Sequence, residues 1–217
     1  MDVGGVPLIS KTVDMLLKHN IEVAIVVGFK HDEIESALSD YDVKFYYNPF
    51  YRVTNSMASL WFAREFIDGD DLILANADVY WEEDLLGLIL NDDHPLTMLG
   101  DESRAQDGDY FFQVEDGHIS KYGKELQPDE RNSEYVGIAR ISSSEVKGFR
   151  DDLETMVDQE RYDLWWENVL YERISSRPVF VADVSPFFWA EIDYIDDYLR
   201  ISNYIETGNV ASKYRVM

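Results

Sequence analysis

Apolar positions along this chain alternate between helical spacing and short unbroken runs. Val23-Ala24-Ile25-Val26-Val27 is a β-branched run closed by Gly28, the composition of a strand buried on both faces. Before it, Ile9, Val13, Leu16 and Leu17 recur at helical spacing between Pro7 and His19, with Pro7 suited to a first turn. His31 to Leu38 repeats that period through Ile34, Ala37 and Leu38. Val43-Lys44-Phe45-Tyr46-Tyr47 then predicts a second strand, stopped by Asn48-Pro49. Ser56 to Ile67 is amphipathic again, and Asp71-Leu72-Ile73-Leu74-Ala75 predicts a third strand. Such alternation predicts an α/β fold built on a mostly parallel, wound sheet. From Asp109 the pattern changes. Tyr110 to Val114, a turn at Asp116-Gly117 and His118 to Tyr122 read as a hairpin, and Tyr135 to Ile141 as a strand. Two helices follow, around Asp151 to Val157 and from Leu164 to Ile174. Val179 to Val184, Phe187 to Ile192 and a helix from Tyr194 close the chain. Without a repeat, a low-complexity segment or a Ser/Gly linker, residues 1–217 read as a single domain.

Composition narrows the possible functions. Apolar residues make up 46% of 217 positions, enough for a sizeable core. No apolar run approaches a membrane span, and the first residues have neither the basic nor the apolar region of a signal peptide. With no cysteine there is no disulfide framework and no thiolate metal site; a cytoplasmic location is expected. A formal charge of −24 argues against nucleic acid and anionic membrane as partners. An anionic small ligand would have to be met by a cation held on carboxylates or by a locally basic loop.

Two acidic positions stand where such a cation could be held. Asp78 follows the strand ending at Ala75, and ligands of wound sheets lie outside the carboxyl ends of strands. Taken alone, an aspartate there reads better as the cap of a helix or turn. Glu191 and Asp193 project to one face of an extended segment after the apolar Phe187-Phe188-Trp189, and a buried carboxylate needs a partner. Asp193 could instead cap the helix from Tyr194. The four histidines lack metal-ligand spacing, and there is no serine elbow or cysteine for acyl chemistry. Trp165-Trp166-Glu167, read as part of one helix, must point its two rings to different sides.

Four segments are recognisable together. Val3-Gly4-Gly5-Val6-Pro7-Leu8-Ile9 comes first, followed by Asn48-Pro49-Phe50-Tyr51-Arg52-Val53-Thr54-Asn55-Ser56. Ser133-Glu134-Tyr135-Val136-Gly137-Ile138 and Trp189-Ala190-Glu191-Ile192-Asp193 complete the set. In this order they resemble the motifs of small bacterial cytidylyltransferases of the sugar-nucleotidyltransferase family, the phosphocholine-activating branch. The likeness runs essentially from end to end. It implies a Rossmann-like sheet with helices on both faces and a small β-hairpin and helical insertion for the acceptor substrate. It also implies Mg²⁺ held by Asp78 and Asp193, and Lys124 meeting the acceptor's phosphate, although an exposed hairpin lysine is the ordinary alternative for Lys124. Gly5, Thr54, Asn55 and Ser56 are implied on the nucleotide side; Glu134, Tyr135, Trp166, Trp189 and Glu191 on the acceptor side, with Trp165 a further candidate for an aromatic box.

The implied reaction transfers CMP from CTP to a phosphorylated small alcohol such as phosphocholine and releases pyrophosphate. A phosphate monoester has a second pKa of about 6 and needs no general base at neutral pH. A homo-oligomer is compatible with the resemblance. The chain departs from the family in two respects: Val6 stands where the family usually has a basic residue, and the family's first central strand and glycine-rich, arginine-bearing loop, together roughly 20 residues, are expected to have no counterpart before Val3. That expectation entails an interrupted sheet and negligible transfer by the 217-residue chain. Two other functions share such a sheet: a GT-A type glycosyltransferase, disfavoured because Asn76-Ala77-Asp78 supplies one carboxylate where that class places two, and a non-catalytic nucleotide-binding protein.

Overall fold

The structure, a computed structural model, describes residues 1–208. A two-residue hairpin, β1 (Asp2–Val3) and β2 (Val6–Pro7), leads into α1 (Leu8–Lys18). Pro7 stands at the N-cap with φ −54°, an angle its ring imposes. The chain then alternates through β3 (Val23–Val27), α2 (His31–Ala37), β4 (Val43–Tyr47), α3 (Ser56–Phe62) and β5 (Leu72–Ala75). Two-residue β6 (Val79–Tyr80), α4 (Glu83–Leu90) and β7 (Leu96–Asp101) follow, then the hairpin β8 (Phe111–Glu115) and β9 (His118–Gly123). The remainder is β10 (Ser133–Ile141), α5 (Ser143–Asp158), α6 (Asn168–Tyr171), β11 (Phe180–Asp183), β12 (Ala190–Glu191) and α7 (Ile195–Thr207).

The main sheet has the order β5-β10-β7-β11-β9-β8, and β8 also pairs back onto β10. The expected predominance of parallel pairing is corrected here. Only β7–β11 in this sheet, and the separate pair β3–β4, are parallel. The reason is β10, which runs antiparallel between β5 and β7 and reverses the sense of both pairings. Helix–strand alternation sets the direction of β5 and β7 relative to one another, but it carries no information about a later strand inserted between them.

Apolar cores lie on the two faces of the sheet. Val146, Phe149, Leu153 and Met156 of α5 pack with Ala139 and Ile141 of β10 on one face. On the other, Leu85, Leu86 and Ile89 of α4 pack with Val136 and Ile138. Each such side chain, fully buried, contributes about 1.5–3 kcal/mol. Beyond β5 the sheet is interrupted. The β3–β4 pair bonds to no other described strand, and a groove of about 770 Å³ lies between Val23–Val26 and Leu72–Ala75.

Several elements differ from the sequence pattern: α3 stops at Phe62 instead of Ile67, α5 starts at Ser143 instead of near Asp151, and three further differences have clear causes. The helix expected over Leu164–Ile174 shrinks to α6, because residues 162–166 bond instead to the N-cap and first turn of α3. There Asn55 N–H donates to Tyr162 O at 3.1 Å and Met57 N–H to Leu164 O at 3.1 Å, while Trp166 N–H donates to Ser56 Oγ at 3.0 Å. The strand expected over Phe187–Ile192 reduces to β12, since only Ala190 and Glu191 find a partner, in β6. Strand β7 is an addition: it is buried along its whole length and so has none of the polar alternation that marks a half-exposed strand.

Candidate active site

Three acidic side chains converge at one edge of the sheet. Asp78 leaves the turn after β5, while Glu191 and Asp193 lie on and after β12. The two segments are held together by the β6–β12 ladder, where Glu191 opposes Val79 and Ala190 opposes Tyr80. Ile192 N–H extends it by donating to Asp78 O at 3.0 Å. Carboxylate oxygens of Asp78, Glu191 and Asp193 consequently lie within 4.8 Å of one another. A β-bulge shapes the approach from the other side. The β10–β7 register breaks between Tyr135 and Ala139, Gly137 takes φ +87°, and its carbonyl accepts from Asn76 N–H at 2.8 Å. Bulges of this kind re-aim neighbouring side chains.

The acids open onto a cavity of about 370 Å³ lined by six carboxylates (Asp78, Asp109, Glu134, Glu167, Glu191, Asp193) and one lysine, Lys124. Burial pushes the Glu191 carboxyl up to about 7, with the charges of Asp78 and Asp193 adding to it. Asp78 is raised by burial and by Asp193. Glu134 is held up at about 7 by burial, against the pull of Arg104, whose Nε lies 2.5 Å from Glu134 Oε2. A Cβ at Gly108 would come 2.2 Å from Glu134 Cδ, so only glycine lets the loop close over that carboxylate. Glu167 is raised to about 7 by burial as well. These acids resist ionising together, and a bound cation is the partner that would let them do so.

Aromatic faces form the opposite wall. Tyr110 meets Trp165 edge-on at 5.9 Å between ring centroids and lies stacked with Tyr171 at 5.8 Å. Lys124 Nζ sits 5.3 Å from the Trp165 centroid. Tyr135 joins this wall.

Of the residues singled out in the sequence, Asp78, Asp193, Glu191, Lys124, Glu134, Tyr135, Asn55 and Ser56 all line this cavity. Four do not. Trp166 turns away and donates through Nε1 to Asn76 Oδ1 at 3.0 Å. Trp189 is buried, donating to Asp101 Oδ2 at 2.8 Å beneath the Arg104 guanidinium. Both indoles brace polar neighbours of the site instead of facing a ligand, which corrects their expected place in an aromatic box. Thr54 Oγ1 donates to Phe50 O at 2.9 Å and so ties its own loop. Gly5, with φ +79°, forms the β1–β2 turn, where a Cβ would meet nothing within 4 Å. Glu167, Tyr110, Tyr171, Asp109 and Asn76 were not among the expected site residues. Glu167 was visible beside its two tryptophans, but an acid on an expected helix reads as surface. His31, Asp32 and Glu35 also come within 4.8 Å of one another, as neighbours on an exposed turn of α2.

Comparison with known proteins places this geometry. No family model matches the chain. It is 24% identical over 202 residues to the CTP:phosphoglutamine cytidylyltransferase of Campylobacter jejuni, covering 81% of this chain and 79% of that protein. It is 21% identical over 208 residues to the choline-phosphate cytidylyltransferase of Haemophilus influenzae, covering 93% and 85%. Among solved structures it superposes on the CTP:phosphocholine cytidylyltransferase of Streptococcus pneumoniae with a TM-score of 0.71 at 20% identity, covering 94% of this chain and 87% of that one. The inositol-1-phosphate CTP transferase of T. maritima gives 0.76 at 20% identity, covering 98% and 88%. The fold is that of the nucleotidyltransferases. Within that class, the chain resembles the small bacterial cytidylyltransferases.

Proposed function

We propose that this chain is a cytidylyltransferase that transfers CMP from CTP to the phosphate of a small phosphorylated alcohol. The observation that carries this reading is the convergence of Asp78, Glu191 and Asp193 beside a cavity with one lysine and an aromatic wall. A phosphate oxygen of the acceptor attacks the α-phosphorus of CTP, the bond to the bridging oxygen breaks, and pyrophosphate leaves. No proton need be removed from the nucleophile at neutral pH, so the protein's work is positioning and charge neutralisation.

Asp78, Glu191 and Asp193 fit a hard divalent cation: they are oxygen donors grouped within 4.8 Å, and burial together with the neighbouring carboxylates opposes ionisation of Asp78 and Glu191 without one. Mg²⁺ held there would offset the negative charge of the triphosphate. Lys124 meets the acceptor's phosphate, and stacking beside Trp165 limits where its ammonium can go. Asn55 and Ser56 bring polar side chains to the nucleotide side of the same cavity, their backbone N–H groups being taken up by Tyr162 O and Asn55 Oδ1. Tyr110, Tyr135 and Trp165 surround the organic part of the acceptor. The aromatic faces and surplus of carboxylates favour a cationic organic group.

A glycosyl-transfer reading loses ground at Asn76, whose side chain is engaged by Trp166 Nε1 and reaches Glu167 instead of the acid cluster. The second reading is a nucleotide-binding protein without turnover, favoured by the open groove between β3 and β5. Pyrophosphate release from CTP, measured with Mg²⁺ and a panel of phosphorylated alcohols, separates the two. Transfer dependent on acceptor, and abolished by Asp78→Asn, is expected of the enzyme; CTP binding with no acceptor-dependent release would establish the second reading.

A further inference from the structure

The inner wall of the cavity carries buried oxygens that form no well-aligned hydrogen bond among the described residues. Glu167 is 6% exposed. Its Oε1 takes a long bond from Asn76 Nδ2 at 3.5 Å, and its Oε2 is buried with no aligned partner among the described residues. The hydroxyls of Tyr135 and Tyr171, in side chains 8% and 2% exposed, are in the same condition. The Tyr135 hydroxyl lies within reach of Glu167 and the Tyr171 hydroxyl within reach of Tyr110, but neither pair is aligned as a good hydrogen bond. Buried polar atoms are almost always paired, and each exception calls for a cause. Three exceptions lining one cavity call for a common one.

Two kinds of organic cation could enter. A trimethylammonium group offers charge and methyl groups but no N–H. A primary ammonium offers the same charge and three donors. The faces of Tyr110 and Trp165 attract either, so the aromatic wall does not choose between them. The unpaired oxygens do. We propose that Glu167 is a specificity-determining residue, with Tyr135 and Tyr171 beside it, and that the acceptor carries an N–H-bearing cation: a phosphorylated amino alcohol with a primary ammonium.

This inference rests on the cytidylyl-transfer reading and adds a substrate class to it. Its polarity fits the cavity. Lys124 and Trp165 are exposed at the rim, where the acceptor's phosphate must meet the nucleotide, while Glu167, Tyr135 and Tyr171 are buried at the inner end. The last torsion of a glutamate side chain is soft, so a small rotation of the Glu167 carboxylate presents Oε2 to an incoming N–H. A site built to hydrogen-bond a substrate group rejects an analogue lacking it far more strongly than an apolar site rejects a difference of a few methyl groups.

The test uses the full chain with CTP and Mg²⁺ and compares three acceptors: phosphoethanolamine, phosphocholine and glycerol phosphate. Phosphoethanolamine is expected to give the highest kcat/KM, at least about tenfold above phosphocholine. Glu167→Gln is expected to raise KM for phosphoethanolamine and bring the two ammonium substrates to within about threefold of one another. Trp165→Ala is expected to weaken both alike. Calorimetric titration of the same acceptors gives a readout independent of turnover, and the wild-type ratio is informative even if Glu167→Gln fails to fold. Equal or better use of phosphocholine by the wild-type chain overturns the proposal and leaves cytidylyl transfer standing. Glu167-dependent binding preference for phosphoethanolamine without turnover sustains the recognition and overturns the activity. Absence of both turnover and binding preference overturns the proposal together with its premise.

Discussion

Gly137 joins the fold to the site, and replacing it with alanine tests that connection. It lies on β10 at φ +87°, and a Cβ there would come 2.9 Å from Val79 Cγ2 and 3.2 Å from Asn76 Nδ2. Holding an L-residue in a left-handed conformation costs about 1–2 kcal/mol. Forcing an extra carbon against a β6 side chain and the Asn76 amide adds about 1–3 kcal/mol. A loss of about 2–5 kcal/mol is expected for Gly137→Ala. In a chain of this size each kcal/mol lowers Tm by about 2–4 °C, so a fall of roughly 4–20 °C is expected in a thermal melt followed by circular dichroism. Gly69→Ala is the control, since Gly69 has φ +116° but open space where its Cβ would be; it carries the backbone cost alone. Because Asn76 and Val79 flank Asp78, Gly137→Ala is also expected to cut turnover at temperatures where it remains folded. A melt for Gly137→Ala no lower than that for Gly69→Ala would refute the reasoning, because the close approach at β6 would then have no energetic weight.

Glu134, Glu167 and Glu191 are each raised to about 7 from an ordinary 4.5, so between those values the folded chain holds more protons than the unfolded one, and stability without a divalent cation falls as pH rises. Mg²⁺ is therefore expected to raise Tm at pH 8 more than at pH 5.5, a difference that Asp78→Asn removes; equal shifts at both pH values would show that the cation does not bind these acids. Trp165→Ala is expected to raise KM for a cationic acceptor with little effect on Tm, whereas Trp166→Ala, which deletes the donor to Asn76, should lower both Tm and kcat; matching profiles for the two would mean that the site is misassigned. Hydrogen exchange followed by mass spectrometry should find backbone amides along the groove-facing edges of β3 and β5 exchanging well before those of β10, and protection of all three strands alike would show that the groove is closed in solution.

The first half of the fold is legible in the chain because its elements are local. Val43–Tyr47 is a strand with the boundaries that Asn48-Pro49 dictates, and the Asp116-Gly117 turn adopts φ +51° and +80°, which two positive-φ residues in a tight hairpin require. What the chain does not announce is register between distant segments. Placement of β10 between β5 and β7, and shortening of the 164–174 helix by bonds to the start of α3, depend on pairings between distant segments, 69 residues apart for Ile141 and Leu72 and 107 for Asn55 and Tyr162. The site divides along the same line. Asp78 and Asp193 are each placed by a strand end, and both arrive. The aromatic wall is assembled from the residue before β8, the segment leading into α6, α6 itself and β10, so which of two adjacent tryptophans faces inward was settled by long-range backbone bonds. A helical wheel could require the two rings to diverge; it could not say that Trp166 goes to Asn76.

The charge of −24 at first sits badly with a ligand made largely of phosphate. The geometry removes the conflict by concentrating part of that charge. Six carboxylates share one cavity with Lys124, and three are raised to about 7 chiefly by burial. In that state the cavity repels a free triphosphate and attracts cations. Two cationic groups would relieve it at different places: a divalent ion among Asp78, Glu191 and Asp193, and an ammonium beside Glu167. The first would travel with the nucleotide and the second with the acceptor, so each substrate would arrive with the charge its end of the cavity needs. With both present the carboxylates can ionise, and the phosphates are brought together on neutralised ground. An acidic protein would then discriminate by refusing any phosphate that comes without a cation.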